Sequence, residues 1–164
     1  MNNKRIIYPT ASIVIILDQL IKVLVIHFLQ IQKEVIIIPN IFFLYYTKNT
    51  GAAFSILENQ TLLLIIISVV FIMIIHNYIK KEKSINITTQ LVTGLIIGGI
   101  FGNLIDRIIH KSVIDYLLFH INDYYFPVFN LADSAICIGA LFLGISILKE
   151  SRNKKDERNV LWFN

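Results

Sequence analysis

The sequence predicts a membrane protein: an all-α bundle of four transmembrane helices, with a small β-sheet at the outer membrane surface. Three observations carry that prediction. Of 164 residues, 55% are hydrophobic and only 16% charged, with a mean hydropathy of +0.68, whereas a soluble domain carries about a quarter charged residues. Apolar segments at about 6–28, 61–79, 88–109 and 128–148 each approach the ~20 residues a helix needs to cross ~30 Å of hydrocarbon. Basic residues collect in alternate flanks: Lys4 and Arg5, then Lys80, Lys81 and Lys83, then Lys149, Arg152, Lys154, Lys155 and Arg158, ten of the fifteen in the chain.

That distribution turns the net charge of +4 into a topology signal and argues against a nucleic-acid partner. The positive-inside rule puts both termini and the 80–87 loop in the cytoplasm, as for an inner-type membrane protein, and the connections at about 29–60 and 110–127 outside. Residues 1–150 read as one integral membrane domain and 151–164 as a mobile cytoplasmic tail with an interfacial anchor in Trp162-Phe163. The lone cysteine, Cys137, excludes an intramolecular disulfide, and its apolar surroundings predict a buried, inert thiol.

The first helix resembles a secretory leader at its basic start. However, its apolar run contains Asp18 and Lys22 and continues past the usual length without a small-residue cleavage site, so it reads as a retained span. Asp18 and Lys22 are four apart, share a helix face and can neutralise each other. A lone charge at that depth costs at least a few kcal/mol, so a structural ion pair is favoured over direct catalysis.

From Lys33 to Ile56 the composition changes. Val35-Ile36-Ile37-Ile38, a Pro39-Asn40 break and Ile41–Thr47 read as two strands around a turn. Strand edges cannot face lipid unpaired, so a sheet at the outer surface is the consistent placement, with Phe42, Phe43, Tyr45 and Tyr46 in the interfacial zone. The small residues around Gly51, in Asn49–Ser55, permit close backbone approach to a ligand or a helix. Lys48 places a cation just before them.

The second helix is uncharged from Thr61 to Ile79 and reads as scaffold. The third contains Gly94, Gly98, Gly99 and Gly102, one face of which can pack closely on another helix. It ends in Asn103, Asp106 and Arg107, on one side of the helix; the adjacent Asp106 and Arg107 read as a structural pair. Asp115 follows soon after, and Asn130 and Asp133 open the fourth helix. These groups share one depth at the outer leaflet.

Two carboxylates close together in a partly dry site split their titration: one keeps a proton while the other ionises. Asp115 and Asp133 can then activate water and protonate a leaving amide nitrogen, with no metal, cofactor or covalent intermediate. His27, His76, His110 and His120 form no zinc-binding pattern, and no Ser–Lys pair is singled out. On spacing alone, an aspartic peptidase and a small proton-coupled transporter remain nearly even.

The motifs Asp18-Gln19-Leu20-Ile21-Lys22, Asn49-Thr50-Gly51-Ala52-Ala53-Phe54-Ser55, Gly98–Arg107, Val113-Ile114-Asp115-Tyr116 and Phe129–Ser134 occur in the order of a known family. By them the chain resembles lipoprotein signal peptidase, signal peptidase II. The resemblance implies an aspartic endopeptidase that removes the signal peptide of prolipoproteins just before a diacylglyceryl-modified cysteine. It puts the catalytic pair on Asp115 and Asp133. Substrate contact or support falls to Asp18, Lys22, Asn49, Gly51, Asn103, Asp106, Arg107 and Asn130. Partners are then the lipid-modified substrates and membrane lipids, and a monomer is expected.

Overall fold

A computed structural model describes residues 5–52, 56–82, 85–121 and 124–162, with side chains excepted at 147 and from 149 onward. The segment at 53–55, Lys4, Lys83 and the expected Trp162-Phe163 anchor therefore lie outside the described side chains. The elements are α1 (Ile7–Phe28), β1 (Glu34–Ile38), β2 (Phe42–Asn49), α2 (Thr61–Lys81), α3 (Ile87–His110), β3 (Val113–Ile121), β4 (Tyr124–Tyr125) and α4 (Leu131–Trp162).

Helix limits follow from local chemistry. Asn86 starts α3 by accepting the Thr89 amide at 2.7 Å, an N-cap that satisfies one of the helix's orphan donors. Lys111 ends it in the left-handed conformation, at φ 58°. Asn130 and Asp133 cap α4 reciprocally: the Asp133 amide donates to Asn130 Oδ1 at 2.9 Å, and the Asn130 amide to Asp133 Oδ2 at 3.2 Å. This capping box begins α4 at Leu131, three residues later than the apolar run suggests.

Three helices, α1, α2 and α3, are long and apolar enough to cross a membrane, while the apolar part of α4, Leu131–Ser146, is shorter. The helix continues to Trp162, through residues expected as a mobile tail. α3 is the hub, packed against α1, α2 and α4. Its glycines permit this: a Cβ on Gly98 would lie 2.7 Å from Val14 Cβ, and one on Gly102 2.5 Å from Asp18 Oδ2. Cys137 is exposed, not buried. Ala132, Ala135 and Gly139 form the inward face of α4, and Cys137 lies off that face.

The four strands pair antiparallel in the order β1-β2-β3-β4. The strand pair before residue 50 was anticipated; β3 and β4, in the connection after α3, were not. β3 fills the centre of the sheet, with Thr47 opposite Asp115. Val25 of α1 packs with Tyr46, Ile114 and Tyr116 of the sheet, docking β2 and β3 on the helices. β1 remains an exposed edge carrying Val35, Ile36, Ile37 and Ile38.

Candidate active site

Two polar clusters meet where α1, α3, β3 and the start of α4 converge. The first centres on Lys22, 2% exposed, whose ammonium lies 2.8 Å from both Asp18 Oδ2 and Asp106 Oδ2. It also donates to Asn103 Oδ1 at 3.1 Å. Gln19 closes the cluster, its amide nitrogen donating to Asp106 Oδ1 at 3.0 Å and to the Gly102 carbonyl at 3.1 Å. The pairing of Asp18 with Lys22 follows from helical spacing. The pairing of Asp106 with Arg107 does not occur: adjacent side chains diverge around a helix. Arg107 instead donates to the Gly51 carbonyl at 3.0 Å, tying that segment to α3.

Each acid of this cluster also accepts a backbone amide. Asp106 Oδ2 takes that of Ile114 at 3.0 Å, and Asp18 Oδ1 takes that of Ala132 at 3.0 Å. Ile114 directly precedes Asp115 and Ala132 directly precedes Asp133. The charge cluster thus fixes the backbone beside both acids of the second cluster.

That second cluster consists of carboxylates held by neutral amides. Asp115, 2% exposed, accepts from Asn130 Nδ2 at 2.7 Å and from Asn49 Nδ2 at 3.0 Å. Asp133 accepts from Asn103 Nδ2 at 2.7 Å and from the Asn130 amide. Asn130, fully buried, therefore serves both acids, one with its side chain and the other with its backbone. Its Nδ2 also approaches Asn103 Oδ1 at 3.2 Å, joining the clusters. Asn49 is oriented in turn by the Gly51 amide, which donates to its Oδ1 at 2.9 Å.

Among the described residues, neither Asp115 nor Asp133 forms a salt bridge. Burial, then the charge of Asp133, pushes the Asp115 carboxyl up to about 7, against the lowering effect of its two asparagine donors. No group of His, Cys, Asp and Glu suited to a metal occurs among the described residues.

All ten residues singled out in the sequence lie in or against this double cluster. Lys48 does not: it is exposed and paired with Ile114, so strand alternation turns it away from Thr47 and Asp115. Three contributors were given no site role in the sequence reading. Thr47 faces Asp115 across the sheet, the Tyr116 hydroxyl accepts the Leu131 amide at 3.2 Å, and Gln19 bridges both ends of the Lys22 cluster. Only Gln19 left a signal, as an uncharged polar residue inside an apolar span.

Helices of this length and hydropathy beside a small antiparallel sheet define a helical membrane protein. Two solved structures described as bacterial membrane enzymes obtained by the in meso method, at 2.3 Å and 1.9 Å resolution, are each 31% identical to this chain. The first superposes with a TM-score of 0.83 over 88% of each chain, the second with 0.77 over 85% of this chain and 90% of that one. The lipoprotein signal peptidase of Halalkalibacterium halodurans is 37% identical over 154 residues, covering 94% of this chain and 99% of that protein. The family described as signal peptidase II matches residues 10–149. The chain belongs to the signal peptidase II family and is a membrane peptidase. The transporter alternative falls with that membership.

Proposed function

We propose that this chain is an aspartic endopeptidase that removes the signal peptide of prolipoproteins, cutting just before a diacylglyceryl-modified cysteine, with Asp115 and Asp133 as the catalytic pair. One observation carries the reading: Asn130 holds the buried Asp115 and the half-buried Asp133 in one site, and among the described residues neither forms a salt bridge. Two carboxyls close together without a salt bridge can share a proton.

Asp115, which burial and the charge of Asp133 push up to about 7, is taken as the member that carries that proton. The ionised Asp133 takes a proton from water as its oxygen attacks the scissile carbonyl carbon. The protonated Asp115 donates a hydrogen bond to the carbonyl oxygen as it becomes negative. Collapse of the tetrahedral species breaks the C–N bond, and a carboxyl proton passes to the leaving nitrogen. The products are a new carboxyl end on the signal peptide and a free amine on the lipidated cysteine. Asn49, Asn103 and Asn130 orient the acids; Lys22, Asp18, Asp106 and Arg107 hold the frame; Gly51 shapes the approach.

In the membrane the reading is of four spans in one domain, with α4 as the fourth, both termini and the tail from 151 cytoplasmic, and the sheet and acids at the outer leaflet. The chain acts as a monomer. Signal peptides present their cleavage point at that face while their basic ends stay inside. The exposed apolar residues of β1 give lipid tails a surface on which to remain in hydrocarbon.

The test uses purified protein in detergent with a peptide spanning the cleavage point, with and without diacylglycerol on its cysteine. Cleavage of the lipidated form alone, at the bond before the cysteine, is expected. Equal cleavage of both forms would remove the substrate assignment.

A further inference from the structure

Away from the acids, α2 leans on α3 while its contact with α1 is slight. The gap between the three helices is a cavity of about 510 Å³, a size typical of small-ligand sites, roughly 300–1,000 Å³. Ile79, Ile97, Ile7 and Ile85 pack together at its closed side. Its wall is graded. Toward the middle of the bundle it is apolar, with Ile72, Met73 and Phe101; toward the end where α1 begins and α2 finishes it presents Tyr8, Ser12, His76 and Asn77.

Cations stand beyond the polar end. Lys80 follows His76 by four residues and Lys81 follows Asn77 by four, so both continue the lining face of α2. Arg5 precedes Tyr8 by three. All three are exposed, and both ion pairs among the described residues belong to Lys22. We propose that this cleft seats one acyl chain of an anionic phospholipid, with the headgroup held at the bundle end by Arg5, Lys80 and Lys81.

Charge complementarity selects the occupant. A basic rim over an apolar slot between membrane helices matches an anionic amphiphile lying parallel to them. A signal-peptide helix in the same slot would bring its own positive end against three cations. None of these residues belongs to the catalytic assembly, so the site stands whether or not the peptidase reading does.

Full-length protein in neutral detergent is titrated with dioleoyl phosphatidylglycerol or dioleoyl phosphatidylcholine, and bound lipid is counted by native mass spectrometry. Phosphatidylglycerol is expected to bind at least about tenfold tighter, since each Lys or Arg near anionic lipid contributes about fivefold. The advantage shrinks in high salt. Lys80→Gln with Lys81→Gln removes most of it, and Lys80→Gln alone about fivefold. Ser12→Phe, at an exposed helix position, fills the slot and weakens both lipids. Equal binding of the two lipids, or a salt-insensitive preference, overturns the proposal in the unaltered protein. So does binding of both lipids undiminished by Ser12→Phe, or displacement of the lipid by a basic signal-peptide helix.

Discussion

The two polar clusters are built from the same acid and lie side by side, yet they are held in opposite ways. Asp18 and Asp106 each sit 2.8 Å from the Lys22 ammonium. Asp115 and Asp133 are held by asparagine amides and a backbone N–H. A buried acid against a cation has its charge compensated by that partner and serves as structure. A buried acid held by neutral donors keeps its hydrogen-bonding geometry while remaining free to gain or lose a proton. The surroundings, not the residue type, divide the labour.

The sharpest break of that comparison is at the neutral-donor acids. Asp115→Asn and Asp133→Asn each lower the cleavage rate by at least about 10³-fold with thermal unfolding close to that of the parent. A variant keeping a tenth of the activity would take its acid out of the catalytic pair.

The converse holds for Lys22→Met, which strands two buried acids without their cation. Stability drops by roughly 3–5 kcal/mol, read as a large fall in melting temperature in detergent. Adding Asp18→Asn and Asp106→Asn to it restores much of the loss. Should Lys22→Met melt like the parent, the ion cluster is not the frame described here.

Gly102→Ala tests the same cluster sterically. The new Cβ would meet Asp18 Oδ2 at 2.5 Å, and overpacking of this kind costs about 1–3 kcal/mol. Gly144→Ala, with nothing within 4 Å of the added carbon, serves as the baseline and gains up to about 1 kcal/mol from helix propensity.

The smallest effect is a titration. With Asp115 at about 7, the protonated pair is lost as pH rises through neutrality, so the rate falls on the alkaline side. The Asn49 hydrogen bond lowers Asp115; removing it in Asn49→Ala raises the carboxyl and moves that limb to higher pH, by less than about one unit. A shift toward lower pH would contradict the donor role. Stability follows the same sign: a carboxyl raised on folding contributes stability fully below the ordinary carboxylate range, and loses it as pH rises through about 7.

How much of this was legible in the sequence depends on how far apart the partners lie. The apolar lengths of α1, α2 and α3 exposed the spans, and spacing of four gave Asp18 with Lys22. The pairing of Lys22 with Asp106 was hidden because it depends on the register of α1 against α3, set by close approach at Gly98 and Gly102. Local reading matched Asp106 to its neighbour Arg107, where the helical turn forbids it. β3 was missed because its partner is β2, more than sixty residues earlier. Cys137 was misjudged because a uniformly apolar stretch does not say which side faces inward. The resemblance to signal peptidase II pointed to the acids, but not to why one pair is salt-bridged and the other is not.

The amides of Ile114 and Ala132 connect to Asp106 and Asp18, and those two acids share a single ammonium. Lys22 is therefore a common datum from which the positions of both Asp115 and Asp133 are measured. A slide of α1 against α3 would pull Lys22 away from Asp106 and so shift the backbone beside Asp115 relative to that beside Asp133.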